Sequence, residues 1–100
     1  MEVTLLYFDD CPNWQTTHAI LRDLAEEFTF TLTHRLVTTD DQARQLGFRG
    51  SPTVHIDGVD PFADPEATAG LSCRIYRTPE GRRGSPTADM LRRAVTDPHT

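Results

Sequence analysis

The spacing of apolar and polar residues changes several times along the chain, and each change marks an element. Val3 to Phe8 is a short β-branched, aliphatic and aromatic run closed by Asp9 and Asp10, which predicts a buried strand. From Pro12 the period lengthens. Ile20, Leu21, Leu24, Ala25 and Phe28 share one helical face, opposite Arg22, Asp23, Glu26 and Glu27. Pro12 suits the first turn of that helix, where its missing N–H costs nothing. In "FTFTLTHRLV" the period drops to two. Phe28, Phe30, Leu32, His34 and Leu36 alternate with Thr29, Thr31, Thr33 and Arg35, which predicts a strand with one wetter face.

Thr39 or Asp40 can cap a short helix through Leu46, with Gly47 where a left-handed residue often ends one. Thr53 to Ile56 reads as a strand closed by the turn Asp57-Gly58. Residues 59–72 are the least regular region, and Arg74 to Arg77 reads as a strand returning beside 53–56. In "SPTADMLRRAV", Ser85 is the expected cap and Pro86 the first helical residue, with Ala88, Leu91 and Val95 on one face. The order is β-α-β-α-β-β-α, an α/β layout in which the helices cover the sheet. One domain over residues 1–97 with a flexible tail at 98–100 is the expectation.

Composition narrows the function classes. A formal charge of −5 disfavours nucleic acid and anionic membranes as partners, since both reward clustered positive charge. The opening "MEVTLLYF" has no positive flank, and its apolar run is too short for a signal peptide or a membrane span. The expectation is a soluble cytoplasmic protein. There, two cysteines read as thiols, redox centres or ligands before they read as a staple.

The chemistry concentrates in "LLYFDDCPNW", where Cys11 sits between the first strand and the first helix. A thiol acts as its thiolate, and a helix N-terminus offers unpaired N–H groups and the positive end of a dipole, with Pro12 and Asn13 in its first turn. That dipole is worth about 0.3–1 kcal/mol at an exposed site, less than one pKa unit. Asp9 and Asp10 push the other way, so a moderately activated thiol is expected.

Two motifs, "DDCPNW" and "RGSPTVHIDG", together with the element order, resemble the thioredoxin-like superfamily. More narrowly, the chain is similar to short bacterial thioredoxin-family proteins with Cys-Pro-x-Trp in place of Cys-x-x-Cys. The resemblance implies a central mixed four-stranded sheet flanked by helices, Cys11 as nucleophile, and Pro52 as a cis proline packed beside it. It also implies that Ser51, Pro52 and Thr53 form a substrate-facing wall, where the Ser51 backbone pairs with an extended substrate.

The chain departs from that family at Trp14, which stands where thioredoxins carry the resolving cysteine. Cys11 is then left with three uses: a mixed disulfide resolved by a second thiol from solution, pairing with a distant cysteine, or capture of a soft metal. Cys73 is the only internal partner. The hairpin reading puts it about four residues, or ~13 Å, from the Cys11 side. A disulfide needs Cα atoms within about 7 Å, so only a fold-back of the 59–72 loop would join them. Otherwise Cys73 is a small buried hydrophobe.

The remaining candidates each have a plainer reading beside them. His18, His34, His55 and His99 show no metal-ligand spacing, so no metal site is assigned. His18 lies about two helical turns, or ~10 Å, beyond Cys11, too far to serve as its base. Asp9 and Asp10 either relay a proton or end a strand. Trp14 either packs or walls the thiol for an apolar ligand. Arg82 and Arg83 either attract an anion or form a solvated loop. The leading expectation is thiol–disulfide exchange through a single active cysteine, with a small thiol or protein disulfide as partner and no cofactor. The alternatives are a non-catalytic soft-metal, organometal or partner-thiol binding module and a redox-silent interaction domain.

Overall fold

The computed structural model describes residues 1–63 and 70–96 of the chain. Ten elements follow one another: β1 (Glu2–Tyr7), α1 (Trp14–Phe28), β2 (Thr31–Leu36), α2 (Asp40–Leu46), β3 (Arg49–Ser51), β4 (Thr53–Ile56), β5 (Gly70–Cys73), β6 (Tyr76–Thr78), β7 (Gly81–Arg83) and α3 (Ala88–Thr96). The architecture is mixed α/β. A three-stranded sheet in the order β2-β1-β4 is accompanied by two two-stranded sheets, β3-β5 and β6-β7. Central β1 runs parallel to β2 and antiparallel to β4. Because β1 and β2 are parallel, the chain must cross between them, and α1 is that crossover.

Alternation along β1 sorts its side chains into two cores. Val3 and Leu5 face a cluster built with Leu21 and Leu24 of α1, Val54 and Ile56 of β4, and Leu91, Ala94 and Val95 of α3. Leu6 points the opposite way, into a smaller cluster with Val37, Ala43 of α2 and Phe48. Helices α1 and α3 therefore cover one face of the sheet and α2 the other. Each fully buried aliphatic side chain contributes about 1.5–3 kcal/mol of transfer free energy. No helix among the described residues is long and apolar enough to cross a membrane.

Several boundaries differ from the sequence reading. Phe28 is the last residue of α1 and does not begin a strand; Thr29 follows in the left-handed region at φ 56°, donating its N–H to Ala25 O at 2.9 Å. Thr39 caps α2 by accepting from Gln42 N–H, and Gly47 closes it at φ 69°. In the last helix the cap is Thr87, whose hydroxyl accepts from Met90 N–H at 3.1 Å. Pro86 is therefore outside the helix, and fully buried.

The expected fourth strand of the central sheet is the larger correction. Arg74 to Arg77 does not return beside β4. Gly70–Cys73 pairs in parallel with β3, while Tyr76–Thr78 forms a hairpin with Gly81–Arg83. The cause is Arg74, whose side chain turns inward to a buried ion pair and interrupts the strand. The turn at Asp57-Gly58, both at positive φ, is spent on a single bridge between Ile56 and Val59. The expected tail at 98–100, His99 and part of the irregular 59–72 region lie outside the described residues.

Candidate functional site

Cys11 sits in the connection between β1 and α1, its N–H donating to Phe8 O at 3.1 Å. The helix begins only at Trp14, with Asn13 as its N-cap residue and no side-chain capping bond. Pro12 and Asn13 therefore precede the first helical turn, in which the sequence reading had placed them. Cys11 is fully buried, with 0% of its surface accessible, so the expectation of a solvent-presented thiol at that position is overturned.

Cys11 is bonded to Cys73. Their Cα atoms stand 5.8 Å apart, inside the usual disulfide range of about 4.4–6.8 Å. The expected separation of ~13 Å assumed that 74–77 returned along β4. The parallel β3–β5 pair instead aligns Cys73 with Ser51, and Arg74 N–H donates to Ser51 O at 2.9 Å. That same carbonyl lies 3.8 Å from Cys11 Sγ. Ser51 is thus the common neighbour that brings the two cysteines together. Cys73 is the exposed member of the pair, where the sequence reading offered a buried hydrophobe.

The Ser51–Pro52 peptide bond is cis. Ser51, Pro52 and Thr53 are all buried, and Ser51, expected to pair with an extended substrate, is paired instead with Cys73 of the chain's own β5. The Ser51 hydroxyl is buried and has no hydrogen-bond partner among the described residues. Pro52 O accepts from the Tyr76 hydroxyl. Burial drives the Tyr76 phenol far above its usual range, so it stays protonated as that donor. Thr53 donates its hydroxyl to Gly50 O at 2.6 Å.

Asn13 completes the surroundings of the buried sulfur. Its amide N–H group lies 3.8 Å from Cys11 Sγ and rests against Gly84, where a side chain would collide with it. Glycine at 84 is therefore what admits Asn13 to this position. Trp14 stacks on Tyr7 with ring centroids 4.3 Å apart and packs on the larger core cluster. His18 and His34 complete a cluster of four rings, 5.3 Å from each other, with His34 edge-on to Tyr7 at 6.1 Å. Burial, then the charges of His34 and Arg22, hold His18 below its ordinary pKa. Asp9 and Asp10 are exposed, as are Arg82 and Arg83 on β7.

Sequence reasoning missed Arg74. Its side chain is 5% exposed and pairs with Asp60 at 2.7 Å. It also donates to Phe62 O and lies over the Tyr76 ring, 4.5 Å from the centroid. A lone Arg between two short apolar stretches carried no signal of burial, although its position directly after Cys73 did place it at the site. Among the described residues no three His, Cys, Asp or Glu side chains converge as a metal site would require. Compared with known proteins, the chain is matched by no family model, no curated protein and no solved structure.

Proposed function

We propose that the protein is a thiol–disulfide redox protein whose working group is the Cys11–Cys73 disulfide, exchanged with a small thiol or a protein thiol. The thioredoxin-like resemblance of "DDCPNW" and "RGSPTVHIDG" motivates the class. The observation that carries the reading is the position of the bridge. It joins a buried cysteine at a strand-to-helix junction to an exposed one aligned with Ser51 on the neighbouring strand. A two-cysteine cycle thereby replaces the single-cysteine cycle, with Cys73 in the part that Trp14 denies to the helix.

The packing supports a reversible bond over a mere staple. Among the described residues, neither hydrophobic cluster counts a cysteine as a member, although Cys11 itself is buried. The end of β5 is also held by a second device, the Arg74–Asp60 pair with the Arg74 N–H bond to Ser51. Opening the disulfide leaves that anchor in place.

The test is equilibration of the native protein in glutathione buffers of graded redox ratio, with the thiol content read by mass after acid quenching. The expected result is a reversible two-electron transition within the range such buffers cover, in protein that remains folded. A bridge that opens only when the chain unfolds would refute the proposal.

A second reading has its own observation. Once reduced, two thiols on Cα atoms 5.8 Å apart form a two-thiolate chelate suited to a soft metal. Stoichiometric capture of Hg²⁺ or Cu⁺ by reduced wild type, lost in either single Cys→Ser variant and without exchange activity, would favour it.

A further inference from the structure

We infer that incoming thiols attack Cys73 Sγ, and that Cys11 is the sulfur that leaves and later returns. The inference rests on the redox reading above and specifies which atom carries the mixed disulfide. It inverts the assignment made from sequence, in which Cys11 was the attacking group.

Access decides the order. Exchange requires a thiolate to approach one sulfur along the S–S axis, from the side opposite the other sulfur. Cys11 has no accessible surface, and Ser51 O and Asn13 Nδ2 stand beside its sulfur. Pro52 is fully buried too. No attacker reaches that sulfur in the folded chain. Cys73 ends β5 and is an exposed residue, so the open side of the bond is the Cys73 side.

The electron count closes with a small thiol as the named reductant. A thiolate RS⁻ forms a bond to Cys73 Sγ while the Cys73–Cys11 bond breaks, and Cys11 departs with the electron pair. The chain prepares for that departure. Asn13 presents its side-chain N–H 3.8 Å from Cys11 Sγ. Once the sulfur takes a proton from water, Ser51 O stands 3.8 Å away as acceptor for the thiol. A second RS⁻ attacks the R-bearing sulfur, releases Cys73 as thiolate and leaves RSSR. Two thiols are oxidised and one protein disulfide is reduced. In the oxidative direction, Cys11 attacks Cys73 Sγ of the mixed disulfide and expels RS⁻.

The experiment uses oxidised wild-type protein exposed briefly to reduced glutathione, quenched in acid and cleaved after arginine. Cys11 then falls in the peptide 1–22 and Cys73 in 50–74. The glutathione adduct is expected on 50–74. In Cys11→Ala the same adduct should persist about tenfold longer at sub-millimolar thiol, because an internal thiol competes at an effective concentration on the order of millimolar. Native Cys11 in Cys73→Ser should react with iodoacetamide at least about tenfold more slowly than Cys73 in Cys11→Ala. An adduct on 1–22, alone or in equal amount, overturns the inference and leaves the redox reading standing. A wild-type disulfide that glutathione does not open in folded protein overturns the redox reading itself.

Discussion

Ser51 and Cys73 are direct partners in a parallel strand pair, and Ser51 O also lies 3.8 Å from the sulfur of Cys11. One residue thus sets the distance between two cysteines that are 62 positions apart in sequence. The β3–β5 register, more than either cysteine's own neighbourhood, decides that they meet.

A bridge closing so long a loop restricts the unfolded chain. By loop-closure entropy it contributes about 4 kcal/mol. Urea unfolding with and without reductant should show the reduced protein less stable by up to that amount, yet still folded in the absence of urea. A reduced protein that is unfolded without urea would contradict a bond that opens in the folded chain.

Gly50 holds the approach of β3 to Arg74. It sits at φ 106°, and a Cβ there would come within 2.9 Å of Arg74 Cβ. Gly50→Ala is expected to cost about 1–3 kcal/mol through backbone strain, with further loss from the collision. The same variant should form the Cys11–Cys73 bond more slowly during oxidation of the reduced protein, measured by quenched mass analysis.

Removing the Arg74 side chain strands the Asp60 carboxylate, which is only 11% exposed. Arg74→Met is expected to lower stability by about 3–5 kcal/mol in urea titrations. Arg74→Met combined with Asp60→Asn should recover part of that loss, because the uncompensated buried charge is gone. A double variant no better than the single one would place the cost in the lost contacts to Phe62 and Tyr76.

Acid should weaken the fold before carboxylates titrate. Burial first, and neighbouring cations next, hold His18 below its ordinary pKa; burial does the same for His55, against the pull of Asp60. Each folded pKa lies under the unfolded value near 6.5, so the unfolded chain binds more protons in between. The contribution is complete above about pH 6.5 and is lost as pH falls through the folded values. Denaturation midpoints recorded from pH 7.5 to 5 should decline, and His55→Gln should flatten the decline.

Local signals in the sequence carried the helices and the central strands. The Thr39 cap and Gly47 stop of α2 follow from side-chain hydrogen bonding and left-handed backbone, both decided within a few residues. The core positions Leu21, Leu24 and Leu91 follow from helical period, and Leu5 from an unbroken apolar run. The pairing of Gly70–Cys73 with Arg49–Ser51 does not, since short strands that lack alternation leave register to tertiary contacts. Arg74 made the difference. Its burial against Asp60 redirected the chain after Cys73, and a charged residue gives no sequence sign that it will be buried. The site's second cysteine was therefore visible as a residue and invisible as a neighbour.

The cluster of rings formed by Tyr7, Trp14, His18 and His34 gives this protein a built-in optical reporter. Trp14 is the sole indole, and the His18 imidazole lies 6.2 Å from it. Protonated imidazole quenches indole emission, so fluorescence against pH reads the charge on His18 without any label. The same emission, followed while the bridge is opened, would register whether changes at Cys11 travel the three positions to Trp14.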